Sequence, residues 1–461
     1  MPDWEVGMAN TYKSNLTVVD NSDSEPLKLL QEQYALSTIG GAIHVLNRVT
    51  LAKVLAGHPT AQVEYIKKAD ADVIMKRFIE SLPLPLTRKQ AKAVIDEWWF
   101  SPDTTVYARV TFTPNPVSDE TLNLWIAPTI KPKKGNWDLI RDYLRYVICD
   151  GDEVLFEYIG NFLVHALKHP EEKPGIIIVL MGDEGVGKGF FLRLIARIWG
   201  STTIEVSDMS KVVGTFNKDI ENKYWILLDE ALFKGDKKSQ DRLKSLITEP
   251  TVQVEQKYEP SRTVESVHRF VATTNHDQFA QIRVEDRRCV FVRVSNKHKQ
   301  DTKYFAKLDK AFNDGETVEA FAYHLMECDI SAFNPRARPP TTETVQQKIR
   351  SLTGFNRYWY EVLHAGNFYF KESHQYQNDT GWYEPAHIAN SHLLNLYREY
   401  DKTAERHEPM QLQTVKEKLR LICPSAQGKR VDNKRCLSYP HIDAARKEFE
   451  EFIGYEIDWP E

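Results

Sequence analysis

A chain of 461 residues, 42% of them hydrophobic, has length for about three domains, each able to bury a core. A formal net charge of −5 and a pI near 6.3 exclude a protein coated in positive charge, so any contact with nucleic acid must be local. Cys149, Cys289, Cys328, Cys423 and Cys436 form no C-x-x-C pair, and neither a membrane-length apolar run nor a leader pattern stands out. The expectation is a soluble, intracellular, cytoplasmic protein with reduced thiols, no cysteine metal site and no membrane partner.

Residues 1–134 read as a mixed α/β accessory domain whose role the residues do not reveal. In it, YALSTI and AIHVLN alternate on either side of Gly40 and Gly41, which predicts a hairpin. After the breakers Pro83 and Pro85, LTRKQAKAVIDEWW predicts an amphipathic helix. Lys131, Lys133 and Lys134 offer a contact to nucleic acid, but a short basic run is more commonly a solvated linker. Residues 135–172 then read as a helical collar: Trp137, Ile140, Tyr143, Leu144 and Val147, and later Val154, Leu155, Tyr158, Ile159, Phe162, Leu163 and Leu167, recur at helical spacing, with Asp150 and Gly151 as the break. Oligomerisation and plain packing both fit this segment.

Residues 173–333 carry the chemistry. IIIVLMGDEGVGKGFF, at 176–191, joins a strand buried on both faces to a glycine loop and a helix start. Gly182, Gly185, Val186 and Gly187 would wrap phosphates with backbone N–H groups, and Lys188 would reach the outer phosphates beside a positive helix N-terminus. This predicts an ATP site. Gly189 stands where Ser or Thr would normally touch Mg²⁺, so water or an acidic residue elsewhere must serve. A glycine turn alone is often only a turn, but YWILLDE follows at 224–230 and ends a second buried strand in two carboxylates. Asp229 would hold Mg²⁺ through water and Glu230 would polarise the attacking water, although a strand running into an acidic helix cap looks the same. A third strand, FVATT at 270–274, ends at Asn275, whose amide would sit between the two and sense the γ-phosphate.

Between these strands, TVQVE and TVESV alternate on either side of a turn at residues 256–261, predicting a hairpin with Lys257 and Tyr258 near its tip. An amine and a ring there can hold a phosphate and stack on a base; an ordinary hairpin with a solvated lysine is the alternative.

In their order, GDEGVGKG, ILLDE, the hairpin carrying VEQKY, FVATTN and DRRCVFV resemble the motifs of superfamily 3 helicases, in particular the helicase part of phage and plasmid primase-helicases. The resemblance covers residues 136–294 well, the last hundred or so more loosely, and the N-terminal region hardly at all. It implies an AAA+-like P-loop core with Lys188 as the phosphate-loop lysine, Asp229 and Glu230 as metal and catalytic carboxylates, and Asn275 as sensor. It places Lys257, with Tyr258 beside it, on a hairpin that tracks DNA, and makes Arg287 or Arg288 the finger entering a neighbour's ATP site. Pairing of Asp286 with either arginine at a strand start is the plain alternative. A homo-hexameric ring, 3′ to 5′ movement on single-stranded or forked DNA, an attached primase or polymerase, and a host-cell cytoplasm if the source is viral are likewise implications of the resemblance.

NPRARPP at 334–340 reads as a boundary. In 341–461, residues 343–363 predict a helix, and helices at 391–400, 414–421 and 443–452 flank a basic turn segment at 427–435. The order suggests a winged-helix-like domain, as in phage-type relatives, with Lys429, Arg430, Lys434 and Arg435 as DNA contacts. The expectation is thus an α/β protein: a parallel-sheet P-loop core, preceded by a collar and a mixed domain, and followed by that C-terminal domain. Its function would be ATP-dependent, Mg²⁺-dependent unwinding in phage or plasmid DNA replication. The competing reading is an ATP-binding scaffold or loader that does not unwind. A nucleotide kinase has no use for the Lys257 hairpin.

Overall fold

The computed structural model describes residues 24–83, 86–229, 237–255, 261–275, 288–368, 382, 387–403, 411–431 and 434–460. Two compact units result: residues 1–111 with 116–124, and residues 112–115 with 125–461.

In the first unit, α1 (Ser24–Gln33) leads into β1 (Tyr34–Ile39) and β2 (Ala42–Asn47). These form the hairpin expected at Gly40 and Gly41, whose φ values of 57° and 81° are open to glycine and costly to other residues. Asn47 ends β2 and caps α2 (Arg48–Leu55) by accepting from Val49 and Thr50 N–H. After α3 (Lys68–Ser81) comes α4 (Arg88–Phe100), opened by a capping box in which Thr87 and Gln90 satisfy each other's backbone N–H. β3 (Val106–Tyr107) adds to β1, and β4 (Arg109–Thr111) pairs with β5 (Thr121–Asn123). Tyr34, Val45, Met75, Ile95 and Trp98 fill the core between helices and hairpin.

The second unit opens with α5 (Asp138–Asp142), a π-helical stretch Tyr143–Ile148, and α6 (Glu153–Lys168), capped by Asp152. The turn at 149–152, with Asp150 and Gly151 both at positive φ, is the expected break. There follow β6 (Ile177–Met181), α7 (Lys188–Trp199), β7 (Thr203–Val206), α8 (Ser210–Val213), β8 (Trp225–Leu228), α9 (Lys237–Thr248), the hairpin β9 (Thr251–Val254) and β10 (Arg262–Glu265), β11 (Arg269–Thr274) and β12 (Cys289–Arg293). β12, β6, β11, β8 and β7 stand side by side in that order, all parallel. Every residue of β6, β8 and β11 is buried, which explains the unbroken apolar runs of β6 and β8; β11 adds Arg269, Thr273 and Thr274 around its apolar centre. The β9–β10 hairpin forms as expected up to its tip, which lies outside the described residues.

The helical segment before β6 is tied to this sheet by Arg269, fully buried at the start of β11. Its guanidinium donates to Tyr224 Oη, His165 Nδ1, His169 O and Glu172 O at 2.5, 3.0, 2.9 and 2.8 Å. A cation thus meets the carbonyl end of α6, where the helix dipole is negative.

Beyond β12, α10 (Thr302–Asp314) and α11 (Glu316–Glu327) pack back on the core. Residues 343–363, expected as one helix, form two, α12 (Thr342–Ser351) and α13 (Gly354–Ala365), because Leu352 and Thr353 are extended between them and Gly354 opens α13 at a φ of 55°. β13 (His387–Ala389), α14 (Asn390–Thr403), α15 (Leu412–Ile422), β14 (Gln427–Val431), β15 (Lys434–Ser438) and α16 (Ile442–Ile453) complete the chain. β15 lies between β13 and β14, so the basic turn segment is half of an antiparallel hairpin. Phe355, Trp359, Tyr397, Leu419 and Phe449 form its core. Among the described residues no helix is long and apolar enough to cross a membrane.

Candidate functional site

Because β6, β11 and β8 are parallel neighbours, their C-terminal ends deliver the glycine loop, Asn275 and Asp229 to one edge of the sheet. The loop bends through Gly182, Gly185 and Gly187 at φ of 156°, 77° and 104°, and Gly187 is the N-cap of α7. Val186 is buried beneath it. At Gly187 two requirements coincide, a left-handed backbone and no room: a Cβ would lie 2.7 Å from Cε1 of Phe305. Tyr143 fastens the same residue by donating to its carbonyl at 2.9 Å, and burial keeps that phenol protonated by raising its pKa well above the ordinary value. Further along the loop, Gln300 N–H donates to Gly185 O at 3.0 Å and Lys299 pairs with Asp183 at 2.7 Å, which lowers the Asp183 pKa.

Lys188 is buried, with its ammonium 2.7 Å from Gly182 O, 2.7 Å from Asp183 O and 2.6 Å from Asn275 Oδ1. Asp229 directly follows β8, where its carboxylate accepts from Thr273 Oγ1 at 2.5 Å. On the other side of β8, the Glu205 carboxyl has its pKa raised by burial and by the Asp229 charge. Gly189 lies in the first turn of α7, and a Cβ there would meet no heavy atom within 4 Å among the described residues.

Lys188, Asn275 and Asp229 are therefore brought together on one edge. Arg288 is not: its carbonyl accepts from Ile177 N–H at the start of β6, on the opposite edge of the sheet. With β12 five residues long, that edge is roughly 16 Å from the loop. Glu230, Arg287, Lys257 and Tyr258 lie outside the described residues. Tyr143, Thr273, Gln300 and Phe305 were not singled out by sequence reasoning. Only Thr273 had a local signal, as a polar residue near the end of a buried strand.

A glycine loop between a buried strand and a helix, with polar groups on the ends of parallel neighbours, defines an open α/β fold with its ligand edge at the strand C-termini. Residues 180–288 match a family of unknown function, DUF5906. Over 244 residues, 50% of this chain, the sequence is 23% identical to the DNA primase-polymerase of Nitratiruptor phage NrS-1, and the match spans 33% of that protein's length. The structure of the C-terminal region of NrS-1 superposes with a TM-score of 0.62 at 16% identity, covering 92% of this chain and 100% of that one. Its A form gives 0.60, covering 91% and 99%. The motif order points to a phage primase-helicase type of protein, and the sequence relative is a phage primase-polymerase; the shared fold is that of its C-terminal region.

Proposed function

We propose that this chain is an ATP-dependent DNA helicase of the superfamily 3 type, the motor part of a phage or plasmid replication protein. The observation that carries the reading is the meeting of Lys188, Asn275 and Asp229 at the C-terminal edge of three parallel strands. The glycine loop fits a Walker A cradle: its left-handed glycines open the backbone, and the buried ammonium of Lys188 is held by carbonyl and amide oxygens where phosphate oxygens would take over. The carboxylate of Asp229 fits a magnesium ion held through water, and the ion would supply charge neutralisation between the outer phosphates. Lys188 binds those phosphates, Asn275 orients on the γ-phosphate, and Glu230 polarises the attacking water.

Arg288 sits too far from its own loop to serve it, which supports a site completed by a neighbouring subunit in an AAA+-like ring, with Arg287 or Arg288 as the finger. A homo-hexamer and 3′ to 5′ movement follow from the same family reading. Lys257 and Tyr258, between β9 and β10 in the sequence, would grip single-stranded or forked DNA. The order α13, β13, α14, α15, β14, β15 with β15 central supports a winged-helix module. Lys429, Arg430, Lys434 and Arg435 are exposed on its hairpin, and Arg430 stands directly opposite Arg435, an arrangement that favours an anionic partner such as DNA. A primase or polymerase would act on the same DNA, in the cytoplasm of the host cell.

The test is ATP hydrolysis and strand displacement by the native chain, Lys188→Ala and Lys257→Ala. DNA-stimulated hydrolysis that Lys188→Ala abolishes, and from which Lys257→Ala removes only the stimulation, is the expected result. Gly189 favours a second reading, an ATP-binding scaffold or loader; nucleotide binding with no DNA-stimulated hydrolysis and no displacement selects it.

A further inference from the structure

We infer that Thr273 positions Asp229, the carboxylate left to serve the metal where Gly189 brings no hydroxyl to it. The inference rests on the nucleotide-site reading above. Position 189 opens onto free space: a Cβ there meets nothing within 4 Å, so nothing among the described residues fills the room a Ser or Thr side chain would take. Nor is glycine required there by the backbone, since residue 189 lies in the regular first turn of α7 and is not among those at positive φ.

A hydroxyl does reach Asp229 from the neighbouring strand. β11 lies between the loop strand β6 and the Asp229 strand β8, and Thr273 comes one step after the Ala272–Leu228 pair, level with Asp229. Its side chain is fully buried, and its Oγ1 donates to Asp229 Oδ1 at 2.5 Å. Valine has nearly the same shape and would suit a buried strand equally well, so packing alone does not call for a hydroxyl. A short, charge-assisted hydrogen bond fixes the carboxylate about its terminal torsion and turns the remaining lone pairs toward the ligand edge. Thr273 is thus a positioning residue: it acts through Asp229.

The experiment measures binding of a fluorescent ADP, first in EDTA and then across a Mg²⁺ titration, for the native chain, Thr273→Val, Thr273→Ser, Gly189→Ser and the Thr273→Val/Gly189→Ser pair. Metal-free binding should be the same for the native chain, Thr273→Val and Thr273→Ser, because Lys188 and the glycine loop are intact. Thr273→Val should need about tenfold more Mg²⁺, the loss of one hydrogen bond to a charged group. Thr273→Ser should match the native chain. Gly189→Ser adds a hydroxyl at the metal itself, so it should lower the Mg²⁺ requirement with either residue at 273 and shows that the titration reads the metal. A native Mg²⁺ dependence in Thr273→Val overturns the inference. So does a loss of about tenfold in Thr273→Ser, an outcome readable even if Thr273→Val does not fold. If the native chain binds no nucleotide with or without Mg²⁺, the proposed function falls and takes the inference with it.

Discussion

The ammonium of Lys188 donates to Asn275 Oδ1 at 2.6 Å, and the same ammonium also reaches Gly182 O and Asp183 O. Since an ammonium only donates, the amide of Asn275 must present its oxygen to the lysine. On the proposed nucleotide reading, phosphates would draw Lys188 from these partners and loosen its hold on Asn275 at the end of β11. Asn275→Ala removes a competitor for the lysine but also the proposed γ-phosphate contact. ADP affinity should hold or rise, by up to about tenfold, while ATP hydrolysis falls by tenfold or more. Equilibrium titration with ADP and steady-state hydrolysis separate the two; a parallel fall in both would mean that Asn275 only supports the loop.

Gly187 and Gly189 should respond oppositely to alanine. At 187 a Cβ enters the ring of Phe305 on a left-handed backbone, whereas at 189 it meets nothing within 4 Å. Gly187→Ala should cost about 1 to 3 kcal/mol of local strain and most of the nucleotide affinity. Gly189→Ala should leave both within error. Thermal unfolding and nucleotide titration of the pair decide it.

Much of this arrangement was legible because it is local. The buried strands showed as apolar runs at residues 176–180, 224–228 and 270–274, and Gly40–Gly41 fixed a hairpin through turn chemistry. What escaped is either long-range or periodic in the wrong way. Apolar spacing of three and four cannot tell an α-helix from the π-helical stretch at Tyr143–Ile148, yet that stretch aims Tyr143 at Gly187. Phe305 meets Gly187 only after the chain has crossed the sheet, and the place of β11 between β6 and β8 is a matter of topology that no local pattern encodes. Arg269 precedes the run at 270–274 with no local pattern to mark it, and it is a fully buried centre of hydrogen bonds.

Two buried imidazoles should make the fold sensitive to acid. His165 and His268 are each pushed down to about 3, first by burial, then by the charges of Arg269 and Lys173 respectively. Both are held neutral: His165 Nδ1 accepts from Arg269, and His268 Nε2 donates to Ile220 O. A histidine whose folded pKa lies below its unfolded value of about 6.5 leaves the unfolded state holding more protons between those limits. Stability should fall as pH drops below about 6.5 and continue to fall toward 3, by about 1 to 2 kcal/mol per histidine at pH 5. Urea unfolding at pH 7.5, 6 and 5 measures it, and a His268→Gln variant should show a shallower slope.

Arg430 and Arg435 face each other across the β14–β15 hairpin, a repulsion that a nucleic acid would relieve. Replacing both by alanine should weaken duplex binding uniformly across sequences and reduce the salt slope by about 1 for each phosphate that an arginine no longer neutralises. Binding isotherms at several salt concentrations test this. An unchanged slope would mean that the DNA is held by other cations.

Arg269 holds α6 to the sheet at the edge opposite the glycine loop, so its loss should damage the fold while sparing the proposed site. Arg269→Met would keep most of the side-chain length but strand Tyr224 Oη, His165 Nδ1, His169 O and Glu172 O without their donor. Unsatisfied buried acceptors cost about 1 to 3 kcal/mol each where water cannot reach them, and some will relax, so a net loss of about 3 kcal/mol or more is expected in urea unfolding. Removing the guanidinium also removes the second cause of the low His165 pKa, so part of the acid sensitivity should disappear with it. ADP affinity at temperatures where the variant is folded should match the native chain, because Lys188 and its carbonyl partners lie at the other end of the strands. A variant that kept full stability would mean that α6 is held by apolar packing alone. One that stayed folded but no longer bound ADP would instead tie the helical segment to the loop through Tyr143, whose hydroxyl is its direct contact with Gly187.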